Sequence, residues 1–91
     1  MDTQDLLTRE LDNREALVYQ LISSEAICLR EKGLETAYSI LVVRTDGEAV
    51  IDSGLAYDVS RREECCRKMM RELWKNAAEP SEVKTAVSEM L

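Results

Sequence analysis

The sequence predicts an α+β domain with the element order α-β-β-α-α, in which helices cover one face of a two-stranded antiparallel hairpin. Two runs of strand-forming residues flank Asp46-Gly47, a dipeptide that is among the strongest short-range hairpin signals. Apolar residues recur at about 3.6-residue spacing through residues 6–29 and again through 66–77. The single proline, Pro80, separates the second stripe from a third, terminal one.

The length and composition bound the architecture. The chain has 91 residues, of which 45% are hydrophobic and none is phenylalanine. This is enough for one domain, residues 1–91, with one modest core built from Leu, Ile, Val, Ala and Met.

The N-terminal stripe predicts a long helix over about residues 4–32. Asp2 or Thr3 would cap its start, and Gly33 is a plausible left-handed residue at its end. Asp12-x-x-Glu15 matches a second capping box. The helix is therefore predicted to be either continuous or broken near Asp12 or at residues 23–24.

The hairpin covers residues 36–56, with Asp46-Gly47 as a two-residue type I′ turn. This turn pairs Thr45 with Glu48 and sets the register of both strands. Residues that oppose each other share a face. One apolar face, expected to pack beneath the helices, would then carry Tyr38, Ile40, Val42, Ile51 and Leu55.

The C-terminal third predicts two helices. Ser60-x-x-Glu63 matches a capping box. The stripe that follows it comprises Cys66, Met69, Met70, Leu73 and Ala77. Pro80 ends this element, and Ser81 is expected to cap a short final helix with its apolar side at Val83, Ala86, Val87 and Met90.

The segments TAYSILVV, TDGEAV, DVSRREECCRKMMREL and EPSEVKTAVSEML, within residues 36–91, carry a resemblance. This part of the chain resembles a family of short bacterial proteins of unknown function from Clostridia and relatives. The resemblance implies the β-β-α-α order of this region and implies no activity or binding residue. The N-terminal residues 6–32 depart from the family pattern.

The residue inventory argues against catalysis. The chain has no histidine, the usual general base and a common metal ligand. Its three glycines are too few for a phosphate-binding loop. Cys65 and Cys66 are adjacent, which is not a zinc-ligand spacing, and Cys28, Cys65 and Cys66 are interpreted as packing residues. We predict a protein that is not an enzyme and uses no cofactor or metal.

The cysteines and the hydropathy predict a location. An odd number of cysteines is typical of free thiols in a reducing compartment. The chain does not open on a secretory leader, and no apolar run approaches the ~20 residues of a membrane span. The expected location is the cytoplasm, without membrane contact.

The charge suggests a protein partner. The formal net charge of −6 disfavours nucleic acid and fits a partner with a basic surface. In size, acidity and lack of catalytic groups the chain resembles, as a class, phage-encoded inhibitors such as anti-CRISPR proteins, which act on nucleic-acid-binding complexes. The candidate partner-binding carboxylates are Asp2, Asp5, Glu10, Asp12, Glu15, Asp46, Glu48 and Asp52.

Two alternatives remain open. The unpaired hairpin edges would allow a regulatory or structural homo-oligomer, such as a homodimer. Residues 61–77 carry six basic and three acidic residues, so their helix has a basic face that would contact phosphates. That face comprises Arg67, Lys68, Arg71 and Lys75, with Trp74 as a stacking edge. A solvated helix face is the favoured interpretation of this second pattern.

Overall fold

The computed structural model describes residues 6–12, 14–28 and 33–91, and the side chains of these residues except 24–28, 33–35 and 58. In this part of the chain four strands precede the helices. The elements are β1 (Leu6–Glu10), β2 (Glu15–Cys28), β3 (Gly33–Asp46), β4 (Ala49–Ser60), α1 (Glu63–Lys75), a 3₁₀ turn (Pro80–Glu82) and α2 (Val83–Met90). The strands form one antiparallel sheet in the order β1-β2-β3-β4.

The prediction of a long N-terminal helix is wrong, and with it the α-β-β-α-α order. Residues 6–10 and 15–28 are strands β1 and β2. In β2, Leu17, Tyr19 and Leu21 are buried, while the alternate residues between them point to the other side of the sheet. Because β2 lies inside the sheet and is apolar on both sides, its sequence shows no clean two-residue alternation and imitates a helical stripe.

The predicted helix signals in this region belong to turns and strands. The backbone N–H of Glu15 donates to the Asp12 carbonyl oxygen at 3.4 Å, and Arg14 adopts a positive φ of 70°. Asp12 and Glu15 therefore frame the β1–β2 turn and form no capping box. Gly33, predicted to end a helix, begins β3 opposite Cys28.

The β3–β4 hairpin is confirmed, but its predicted register is wrong. Asp46 pairs with Ala49, so the loop is Gly47-Glu48, and only Gly47 has a positive φ (61°). This is the pattern of a type II′ turn, with glycine at the first central position. Bulges shift the pairing further, so Val42 lies opposite Gly54. Ile51, expected in the core, is 52% exposed.

The core lies between one face of the sheet and the two helices. From β2, β3 and β4 it takes Leu17, Tyr19, Leu21, Ile40, Val42 and Ala56, and from the helices Cys66, Met69, Met70, Leu73, Val83 and Val87. The predicted apolar stripes of both helices are thus confirmed, apart from half-buried Ala77 and Ala86 and exposed Met90. Helix α1 contacts all four strands, and α2 contacts β3 and β4.

The helix ends differ from their predicted caps. The hydroxyl of Ser60 accepts the N–H of Arg62 at 3.0 Å, and the residue at the N-cap position of α1 is Arg62, so Ser60 does not cap the helix. At the other end, Ala78 N–H donates to Leu73 O (3.0 Å) and Ala77 N–H to Trp74 O (3.2 Å). These bonds form a Schellman motif with Ala77 as its left-handed residue, φ 50°.

The entry to the last helix is also capped differently from the expectation. Glu79, and not Ser81, precedes the 3₁₀ turn, and its N–H donates to the Glu82 carboxylate at 2.8 Å. Pro80 is buried as the first residue of that turn. The turn leads directly into α2, so α2 begins at Val83 without a serine cap.

Polar contacts fasten the helical layer to the sheet. The Tyr19 hydroxyl donates to Ala78 O at 3.0 Å. Arg44 of β3 donates through Nε to Glu15 at 2.6 Å and through Nη1 to Glu79 at 2.5 Å. These contacts tie the connection between α1 and α2 to β2 and β3, so the described helices all lie on one face of the sheet.

Candidate protein-binding surface

The opposite face of the sheet is apolar around Leu41 and Val43, which are half-buried, and none of its residues belongs to the core beneath the described helices. Ala37 and Ser39, further along β3 on this face, are buried. Two cross-strand rows define it. One row runs Leu6, Gln20, Leu41, Leu55, and the other Thr8, Val18, Val43, Ser53, with Ile22 beside them. We call these nine residues the open face. Leu6 is 51% and Leu55 37% exposed.

The open face carries no charged residue, although 33% of the chain is charged. In antiparallel sheets with one solvated face, that face is normally polar. Six of the nine residues are aliphatic and form a contiguous patch, a type of surface that soluble proteins use for interactions: Leu6, Val18, Ile22, Leu41, Val43 and Leu55. The composition of the open face is therefore that of a surface that becomes covered.

The size of the open face decides how much of an interface it could supply. Four strands at about 4.8 Å spacing and two to three rows at about 7 Å give roughly 300 Å². A stable protein–protein interface buries about 800 Å² per partner. A partner on this face must therefore also contact its margins.

One margin is acidic. The β1–β2 and β3–β4 turns meet at the same end of the sheet, where Gly47 N–H donates to Arg14 O at 3.1 Å. This brings together four exposed carboxylates, which we call the acidic margin: Glu10, Asp12, Asp46 and Glu48. Glu10 borders the open face directly, because it continues the alternation of Leu6 and Thr8 along β1.

The structure unites some of the predicted carboxylates and separates others. Glu15 is held by Arg44 in an ion pair of 2.6 Å and faces the helical side. Asp52 is exposed and accepts the N–H of Ser53 at 2.9 Å. Asp2 and Asp5 lie outside the described residues. The acidic margin thus contains four of the predicted set.

The predicted basic face is only partly available. Lys68, Arg71 and Lys75 are exposed, while Arg67 donates to Glu63 at 3.1 Å. Trp74, predicted as a stacking edge, is engaged elsewhere: its Nε1 donates to Thr8 O at 2.9 Å, and Arg9 lies 5.7 Å from its ring centroid. The half-buried ring links α1 to β1 and has Arg9 over it.

Two side chains of the core, Tyr19 and Cys66, have pKa values shifted by burial. Burial raises the pKa of Tyr19 to about 12. Burial also raises the pKa of the Cys66 thiol, whose Sγ lies 3.9 Å from Tyr38 O. A raised thiol pKa lowers the thiolate fraction and hence the reactivity. Cys65 is half-buried beside it, and the Cys28 side chain lies outside the described residues.

Sequence reasoning missed the open face. Val18, Gln20 and Ile22 fall within the predicted helix of residues 4–32, and Leu41 and Val43 fall outside the predicted apolar face of the hairpin. The available signal was the strand-forming run of residues 17–22, where β-branched and aromatic residues are frequent. Read at a two-residue period, that run has apolar residues on both sides.

Within the described ranges no helix is long and apolar enough to cross a bilayer, and no group of three or more acidic, cysteine or histidine side chains has the geometry of a metal site. No family model, curated protein or solved structure matches the chain.

Proposed function

We propose that this protein acts by binding, without turnover, and that it docks a protein partner against the open face. The single observation that carries the proposal is the contiguous, charge-free aliphatic surface left uncovered by the described helices. Apolar centres with charged rims are the usual anatomy of protein interfaces. The acidic margin would contact basic residues that surround the partner's apolar patch.

The proposal includes an inhibitor form. A partner that binds nucleic acid has lysines and arginines arranged to contact phosphates. The same side chains would attract the carboxylates of the acidic margin, because both groups are anions. In that case the association rate falls steeply as salt is added, while the apolar contacts set the dissociation rate. If the association rate does not change with salt concentration, the inhibitor form of the proposal is excluded, and docking on the open face remains.

The experiment compares three proteins: the wild type, Leu41→Lys on the open face, and Met90→Lys on the exposed side of α2. Partners are identified by capture with the wild type alone. The complex is then rebuilt from purified components. We expect Leu41→Lys to weaken binding at least ~tenfold, since central interface residues dominate affinity. Equal affinity of both variants contradicts the proposal.

The open face also favours a second candidate, a homodimer. A charge-free face can meet its own copy without repulsion even though the chain carries −6, and two antiparallel sheets pack readily face to face. Sedimentation of the wild type and of Leu41→Lys separates the two candidates. A wild-type dimer that Leu41→Lys converts to a monomer supports self-association, and a wild-type monomer at micromolar concentration excludes it.

A further inference from the structure

A groove of about 670 Å³ runs between β4 and α2, separate from the centre of the open face. Its β4 side is lined by the consecutive residues 53–57, and its α2 side includes Lys84, Ser88 and Leu91. Consecutive strand residues point to alternate sides of a sheet. A groove lined by all of them therefore follows the backbone edge of β4.

The edge of β4 is open to hydrogen bonding. β4 is the last strand of the described sheet and pairs only with β3. Ser53 N–H donates to the Asp52 carboxylate, so it points away from β3. In a strand the N–H and C=O groups of every second residue point to the same side. The N–H and C=O of Leu55 therefore point away from β3, as those of Ser53 do. Pairing with β3 is regular across 52–56 and is broken by bulges on both sides, which limits the usable edge to this stretch.

Space remains between that edge and α2. Gly54 and Ala56 face the helical layer and are packed against it, Gly54 beneath Pro80, so the space lies outside them, where Lys84, Ser88 and Leu91 bound the groove. A strand added to β4 would place alternate side chains there. Leu91, which is 72% exposed, would cover aliphatic side chains there, and Lys84 would attract a carboxylate at the groove wall.

We infer that the groove binds an extended segment of a partner protein, which adds to β4 as a fifth strand. The segment has aliphatic residues at every second position and an acidic residue that pairs with Lys84. Main-chain bonds to Leu55 supply affinity in this mode of recognition, and the groove beside α2 supplies sequence preference. The site shares Ser53 and Leu55 with the margin of the open face and none of its central residues.

The test uses random peptides of about eight residues, a length that spans such an edge, displayed on phage and selected against the full chain. We expect enriched sequences with aliphatic residues at alternate positions and at least one Asp or Glu. The best peptide, made synthetically, should slow hydrogen exchange at the amide of Leu55. A selection without enrichment, or protection confined to β1 and β2, overturns the inference.

Two variants separate main-chain from side-chain recognition. Leu55→Pro removes the outward N–H, which an edge strand tolerates, whereas Leu55→Ala keeps it. We expect Leu55→Pro to weaken peptide binding at least ~tenfold and Leu55→Ala clearly less. Equal losses in both variants contradict strand addition. If Leu55→Pro does not fold, the exchange protection of Leu55 in the wild type decides.

Lys84→Glu should weaken the acidic peptide at least ~threefold, with Lys84→Gln intermediate. Leu41→Lys, which disables the open face, should leave peptide affinity unchanged, so failure of the proposed function and failure of this inference are distinguishable. Concentration-dependent self-association that Leu55→Pro abolishes would instead assign the edge to a second copy of β4 and overturn the peptide assignment.

Discussion

Tyr19 joins the two layers of the molecule through one hydroxyl. Its side chain is fully buried, and the hydroxyl donates to the carbonyl of Ala78, in the connection between the helices. We expect Tyr19→Phe to lower the free energy of unfolding by about 1–2 kcal/mol, because it leaves a buried carbonyl without a donor. Urea denaturation measures this change. A variant as stable as the wild type would show that the bond contributes nothing.

The same residue predicts a pH dependence. Burial raises the pKa of folded Tyr19 from 10.0 to about 12, so between these values the unfolded chain releases a proton that the folded chain retains. The contribution of Tyr19 is complete below pH 10 and is lost as the pH rises toward 12. Unfolding free energies measured across this range should fall more steeply for the wild type than for Tyr19→Phe. Parallel slopes would contradict the assignment.

Ala77 stores backbone strain. It occupies the left-handed position of the Schellman motif with φ 50°, a conformation that costs a non-glycine residue about 1 kcal/mol or more. Ala77→Gly should therefore raise the free energy of unfolding by up to ~1 kcal/mol. Ala86→Gly, within α2, is the matched control and should lower it by a similar amount. Two changes of the same sign would refute this explanation.

At the scale of elements, Gly54 determines how closely the 3₁₀ turn approaches β4. A Cβ atom on Gly54 would lie 2.0 Å from the carbonyl oxygen of Pro80 and 3.1 Å from Val83 Cγ1. Gly54→Ala must displace the backbone of the turn, so we expect a loss of at least ~2 kcal/mol in thermal or urea unfolding. Ser53→Ala, on the other side of the strand, should change stability by less than ~0.5 kcal/mol.

Elements that bury one face and expose the other were predictable from the sequence. Helix α1 packs one stripe against the sheet, and its stripe predicted Cys66, Met69, Met70 and Leu73 correctly. The β3–β4 hairpin was predictable from Asp46-Gly47. Its register was not, because the loop is shifted by one residue and two bulges interrupt the pairing of β3 with β4, and no sequence signal marked either.

At the scale of the whole molecule, the two faces of the sheet can be compared through neighbouring residues. Ile40 is completely buried beneath the helices, whereas Leu41 lies on the open face. Leu41→Lys should lower the free energy of unfolding by less than ~1 kcal/mol, because its charge stays in water. Ile40→Lys should prevent folding, because it buries an unpaired charge. Circular dichroism and urea unfolding of both variants test this; a severe loss in Leu41→Lys would show that the open face is covered within the monomer.

The candidate surface was predictable only in its charge. Sequence alone indicated an acidic protein suited to a basic partner, and four of the predicted carboxylates do gather at the turn end of the sheet. The apolar open face was not predicted. Its residues come from four strands, and their common orientation exists only once those strands are paired.

The α1 and α2 stripes, the hairpin near Gly47 and the excess of negative charge follow from the sequence alone, because each is a local or additive property of the chain. The strand conformation of residues 6–10 and 15–28 depends on tertiary contacts. A central strand with apolar neighbours on both faces has no single period, so its conformation follows from pairing with β1 and β3 and not from local preference.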